Sequence, residues 1–254
     1  MISSTQKVIR ILNAVSEGGA DPMPLYKIAD KTGINKATCS HIINTLLEEG
    51  YMVRISASKG YVLGPAAYCL SSMNRYGGDL ISICRPVMQY LYKTLGHCVV
   101  LSVIEGGTKY VIDYIDDGSI FQKQKKIQKD DIYRTATGRA ILKNMSRDEI
   151  DVIWQKYGCP SEGDWSEIRS LRDLYDYCDN EHSRHVISTR KCHGETIALG
   201  YALPLLNNIK CVGALGIAVK IPLSEEKSFF AEEEKNIKKM LLKGADIIEQ
   251  KINL

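Results

Sequence analysis

Most short signatures of catalysis are missing from this sequence. It has no G-x-S-x-G elbow, no P-loop, no H-E-x-x-H pair and no G-x-G-x-x-G turn. Serine-nucleophile, nucleotide, zinc-hydrolase and dinucleotide chemistry are therefore without a motif, and neither an enzymatic activity nor a cofactor is expected. No apolar run is long enough to cross a membrane, and no signal peptide opens the chain. The expectation is a cytoplasmic protein with no membrane partner. The eight cysteines include no C-x-x-C pair and sit mostly among apolar neighbours, as reduced cytosolic thiols do, so a disulfide framework is not expected. A large excess of one charge is lacking too. The net charge is +3, too small to argue for nucleic acid by itself.

What is present is an ordinary globular balance: 254 residues, 44% hydrophobic and 25% charged, enough for two domains with real cores. The organising stretch is Pro24–Gly64. Pro24 suits the start of a short helix carrying Leu25, Ile28 and Ala29 on one face. Gly33 ends that helix and Asn35 is a strong N-cap for the next, Lys36 to about Glu49. Cys39, Ile42, Ile43, Leu46 and Leu47 form its apolar stripe, while Lys36, Ala37, Thr38, Ser40, His41 and Asn44 form the other face. Two β-prone runs follow, Tyr51–Ile55 and Tyr61–Leu63, joined by a turn at 56–60. Helix, turn, helix and hairpin make a winged helix-turn-helix. Short hydrogen-bonding side chains and a lysine on its second helix suit the major groove of double-stranded DNA. Arg54 and Lys59, on the wing, would pair with phosphates. Residues 1–64 hold seven cationic and five acidic side chains, so DNA affinity has to come from placement and from dimerisation.

Around this stretch, Val8, Ile11, Leu12 and Val15 predict a first helix that completes a three-helix core. Pro65 to about Arg75 reads as a linker helix with Ala66, Cys69, Leu70 and Met73 on one side, a natural dimer contact. The expected organisation is therefore 1–64 DNA-binding, 65–78 linker helix and 79–254 a second domain. There the helix from Leu80 should break or restart at Pro86. Val99–Ile104 and Lys109–Ile115 read as a hairpin, and the basic run 121–129 as a loop or exposed strand, a conceivable second DNA contact. Helices are expected from Arg134 to Asn144, from a capping box at Ser146 to Tyr157, and from Asp164 to Glu181. Strands are expected at Val186–Thr189, Thr196–Leu206 and Cys211–Ile221, and a closing helix from Ser224 lined by Ile237, Leu241, Ile248 and Ile252. The class is α+β, an antiparallel sheet flanked by helices.

Over nearly its whole length the chain resembles the IclR family of bacterial transcriptional regulators. The residues that carry this are the start through Leu12, GINKATCSHIINTLLEEGYMVR, YVLG with the helix after it, the TATGRA turn, and the strands ALGYALPL and CVGALGIAV. The resemblance implies a winged helix, a linker helix used in dimerisation, a GAF-like (profilin-like) domain that binds a small effector, and dimers or tetramers on palindromic operators. It also implies that Ala136, Thr137 and Gly138 lie beside the effector, facing Gly200, Gly216 and Ala218, whose small side chains would leave room. The family commonly has lysine where this chain has Arg139, and acidic residues where it has the basic segment 189–195. Arg190 thus joins the candidate site, and the effector expected is a small organic acid or aromatic compound.

Two other classes compete. Cys178, His182, His185, Cys192 and His193 contain soft ligands, Cys178 and His182 being four apart; this set would serve a metal-binding protein or a thiol-based redox sensor or enzyme. The spacing matches no standard zinc cluster, and Cys192 and His193, adjacent in a strand, would point apart, so no metal ligand is assigned. The other class is a winged helix that binds protein instead of DNA.

Overall fold

The computed structural model describes residues 3–18, 21–56, 60–73, 78–117, 131–179, 185–208 and 210–253. It divides into two compact units, Met1–Gly78 and Asp79–Leu254. Lys59, His182 and the basic run 121–129 lie outside the described residues.

In the first unit, α1 (Ser4–Ser16) opens on a capping box between Ser3 and Gln6. α2 (Leu25–Thr32) starts after Pro24 and stops at Gly33, whose φ of 69° is the left-handed value that glycine takes most easily. Two residues later α3 (Lys36–Glu48) begins, with the Asn35 side chain accepting the Thr38 N–H at 2.8 Å. Thr32 fastens the corner: its hydroxyl donates to the Ile28 carbonyl at 2.7 Å and lies 3.9 Å from the Cys39 sulfur. β1 (Met52–Ser56) and β2 (Gly60–Leu63) pair antiparallel, and Met23 bridges to Tyr61 beside them. Ile11, Val15, Ile28, Cys39, Ile43 and Met52 share one core. α4 (Pro65–Met73) follows, with Tyr68 and Leu70 well exposed.

The second unit begins with α5 (Gly78–Leu95), which runs straight through Pro86. The expected break is absent because Cys84, Val87, Met88 and Leu91 are all buried in one core stripe, which outweighs one lost backbone bond. Next come β3 (Cys98–Glu105) and β4 (Thr108–Ile115), then α6 (Asp131–Arg134), α7 (Ala136–Leu142) and α8 (Arg147–Tyr157), capped by the Ser146/Glu149 box. The single helix expected from Asp164 to Glu181 is two, α9 (Glu162–Trp165) and α10 (Leu171–Asp179). The Asp173 carboxylate accepts the N–H groups of Arg169 and Ser170 at 2.9 and 2.8 Å, restarting the helix there. β5 (Ile187–His193), β6 (Thr196–Asn207), β7 (Lys210–Pro222) and a long α11 (Glu226–Ile252) complete the unit.

The five strands form one antiparallel sheet in the order β4-β3-β7-β6-β5. α5 and α11 cover one face, over Val99, Leu101, Leu199, Tyr201, Leu215, Ile217 and their neighbours. α7 covers part of the other, against Ile187, Ala202 and Ala214. Ile132, Tyr133, Leu142, Ile150, Trp165 and Leu174 build a separate core among α6 to α10. The fold is the expected α+β arrangement of a helix-turn-helix and a helix-flanked antiparallel sheet.

Candidate functional site

Each unit offers one site. On α3, burial of Cys39, Ile43 and Leu46 fixes the helix rotation. Helical spacing then puts Ala37, His41, Asn44 and Glu48 along the outermost line, and all four are exposed. Lys36 is exposed beside them, while Thr38 and Ser40 are half-buried at the flanks. The predicted face is thus assembled on one helix. Thr45, not singled out from the sequence, is exposed too, four residues beyond His41, whose carbonyl its hydroxyl approaches at 3.4 Å. The line ends in Glu48 and Glu49, which repel phosphates, so its DNA-compatible part is the N-terminal half. Arg54 is exposed on β1, its guanidinium 5.9 Å from the centre of the Tyr61 ring. Lys31 serves the scaffold, pairing with Glu17 at 2.7 Å.

In the second unit, α7 is nearly all buried. Thr135 caps it, accepting the Gly138 N–H at 3.2 Å, and Ser102 donates to the Thr137 hydroxyl at 3.3 Å. The glycines here are contact points. A Cβ at Gly138 would stand 2.1 Å from the Ile132 carbonyl oxygen, and one at Gly216 would stand 2.5 Å from Thr137 Cγ2. The room expected at Gly216 is filled by α7 itself. Gly200 is tight as well, an added Cβ standing 2.7 Å from Thr189 Oγ1 and 3.4 Å from Ala136 Cβ, although Gly200, its cross-strand partner Ala218 and Ala198 on the same face are only half-buried.

Arg190 does not belong to that group. It pairs with Leu199, whose side chain lies in the α5/α11 core, and its guanidinium holds Glu226 of α11 at 2.6 and 3.0 Å. Alternation along β5 puts Thr189 and Lys191 on the other face instead, opposite Gly200 and Ala198. There Lys191 Nζ lies 2.7 Å and Arg134 Nε 3.0 Å from the Asp164 carboxylate, which also accepts the Ser161 hydroxyl at 2.6 Å. Burial alone would raise the Asp164 carboxyl, but the hydrogen bonds from Lys191 and Ser161 and the nearby charges hold it below the ordinary carboxylate value. A carboxyl depressed in the folded state stabilises above its unfolded titration and loses that effect on acidification. Melting of the second unit should therefore fall as the pH drops through and below the ordinary carboxylate value of about 4, and Asp164→Asn should flatten that fall. An unchanged slope in thermal scans would show the triad to be energetically silent.

Arg139 works beside it as a fastener. It donates to the carbonyls of Tyr133 and Asp164 at 2.7 and 2.6 Å and lies 4.1 Å over the Trp165 ring. The described members of the Cys/His set, Cys178, His185, Cys192 and His193, form no ligand cluster. Cys178 is buried, its thiol pushed up to about 12 by desolvation, and it points to the Leu142 carbonyl. His185 faces Lys143, and Cys192 and His193 occupy successive, oppositely directed positions of β5. Among the described residues no group of three or more His, Cys, Asp or Glu could hold a metal ion, and no helix is long and apolar enough to cross a membrane.

Comparison with known proteins agrees with this layout. Residues 4–55 match the IclR helix-turn-helix domain, and residues 76–164 match the C-terminal domain of bacterial IclR transcriptional regulators, together more than half of the chain. The HTH-type transcriptional regulator TtgV of Pseudomonas putida is 30% identical over 115 residues, covering 45% of this chain and 42% of TtgV. The chain spans about half the length of this and the next curated relatives it matches. Among solved structures, an IclR-type regulator from Alicyclobacillus acidocaldarius is similar with a TM-score of 0.74 at 17% identity, over 99% of both chains. An IclR homologue from Microbacterium hydrocarbonoxydans, complexed with 4-hydroxybenzoate, has a TM-score of 0.72 at 14% identity, over 98% of this chain and 99% of that one.

Proposed function

This chain belongs to the IclR family of bacterial transcriptional regulators, and from that premise we propose that it binds double-stranded operator DNA under the control of a small acidic effector. The first unit is the DNA-binding domain, joined by a linker at 65–78, whose described part Pro65–Met73 is helical, to an effector domain in the second. The observation that carries this is the outer line of α3: Lys36, Ala37, His41 and Asn44 project from a helix whose orientation is fixed by Asn35, Thr32 and three buried apolar residues. Short polar side chains at the N-terminal end of such a helix are what reaches base edges. The protein acts in the cytoplasm as a homodimer or tetramer on a palindromic site, because one weakly basic domain binds poorly and two-fold symmetry doubles the contacts.

The effector lies on the half-open face of Ala198, Gly200 and Ala218, near Thr189 and Lys191. It regulates only by binding the DNA-competent and incompetent arrangements with different affinity. The 4-hydroxybenzoate seen in a structural neighbour is a reasonable first probe.

The test is footprinting on the chain's own upstream region, followed by a salt titration. Arg54→Ala should weaken binding to all sequences alike and lower the salt slope by about one per copy. A wild-type protein that protects no site, or is monomeric by light scattering at DNA-binding concentration, refutes the reading.

A further inference from the structure

We propose that the Asp164 carboxylate is an internal stand-in for the effector's own carboxylate, occupying the anion site of Arg134 and Lys191 until the ligand displaces it. This rests on the reading that the α7 face of the second unit takes a small acid.

Two cations from separate elements, Arg134 at the end of α6 and Lys191 in β5, converge on one oxygen of Asp164 at 3.0 and 2.7 Å. Lys220 is a third cation nearby: it is exposed and shares the cross-strand row of Lys191 and Ala198. The neighbouring row is Thr189, Gly200 and Ala218, half-buried and built from small side chains, with Thr189 and Ala136 closing on Gly200.

Asp164 is suited to leaving. It rides on α9, four residues long and without a side-chain N-cap. The side chains of Asp164, Lys191 and Arg134 retain 13%, 34% and 26% exposure, so solvent and solutes reach the pair. The Asp164 backbone is held separately, its carbonyl accepting Arg139 Nη2 at 2.6 Å. The carboxylate can therefore rotate away about its side-chain bonds while α9 keeps its anchor. The incoming acid exchanges one charge-assisted set of hydrogen bonds for another, so the stand-in taxes affinity in proportion to the time it occupies the site. It also selects: a neutral amide of the same shape cannot replace a carboxylate between two cations.

The experiment uses the full chain and isothermal titration with 4-hydroxybenzoate, benzoate and the neutral 4-hydroxybenzamide. Asp164→Asn keeps the shape and removes the competing charge. It should bind both acids about tenfold more tightly or better than wild type, with no gain for the amide. Lys191→Gln should lose about tenfold or more for the acids and leave the amide unchanged, with far-UV dichroism confirming the fold; this arm decides the matter should Asp164→Asn be unstable. If wild type binds the acids and either folded variant matches it, the stand-in is refuted while the effector reading survives. If neither wild type nor variants bind any acid, the effector reading falls and takes the stand-in with it.

Discussion

Replacing Gly138 with alanine should cost the second unit about 3 kcal/mol, the upper end of what overpacking does. The usual escape, rotation of a flexible side chain, is closed here. The added methyl would lie 2.1 Å from the Ile132 carbonyl oxygen and 2.7 Å from its carbonyl and α carbons, all backbone. α6 would have to lift from α7, uncovering Ile132 and Tyr133, which are 1% and 2% exposed. Urea unfolding should show the midpoint of the second unit falling sharply with an unchanged m value, and the transition of the first unit left where it was. An unaltered midpoint would mean that the helix pair is looser than its geometry. The substitution is conservative by ordinary standards, and a comparable change at Gly163, where nothing lies within 4 Å of the added atom, should be nearly neutral.

Asn44→Ala should produce the largest change in DNA binding. Asn44 is exposed on the outer line of α3, one turn beyond His41 and clear of the acidic end at Glu48. An amide there can make a bidentate contact to a base edge, worth about 1–3 kcal/mol of discrimination. In a dimer the contact is made twice, so the loss should reach about 2–6 kcal/mol, roughly 30-fold to 10⁴-fold. It should appear as relaxed preference at two symmetry-related positions, with little effect on non-specific binding. Uniform weakening across sequences would reassign Asn44 to a phosphate, and no weakening would remove α3 from the groove.

The first unit was largely legible in the residues because its determinants are local. Gly33, Asn35 and the 39/43/46 stripe each act within one or two turns, and each does in space what its type demands. The second unit was legible as a list of elements, less so as a site. Arg190 was favoured over Lys191, but the sheet is covered on both faces, so β5 shows no clean alternation of apolar and polar residues to reveal its parity. A shift of one residue exchanges the α11 side for the α7 side. Gly200, Gly216 and Gly138 could signify space or contact, and only the position of the opposing helix decides. All three turn out to be contacts: Gly138 meets α6, Gly216 meets Thr137 of α7, and Gly200, though half-buried, meets Thr189 and Ala136. The continuous helix through Pro86 agrees with the helical spacing of 84, 87, 88 and 91 across the proline, which the local proline rule overrode, while the split between α9 and α10 depended on one Asp173 cap that periodicity does not show.

The strand order has a bearing on how the protein is made. β3 is an interior strand beside the edge strand β4, yet its inner neighbour is β7, with Cys98 set against Ala218 and Ser102 against Ala214. Everything from β4 through β6 is synthesised between them. During translation the first unit has all its residues early and can fold on its own contacts. The second waits, with the apolar run Cys98–Ile104 paired only to β4, until Pro222 has left the ribosome. Long-range closure of this kind is slow, and the uncovered strand is the stretch most open to wrong partners meanwhile. Nascent chains stalled before β7 should thus carry a finished reading head on an unfinished, association-prone body.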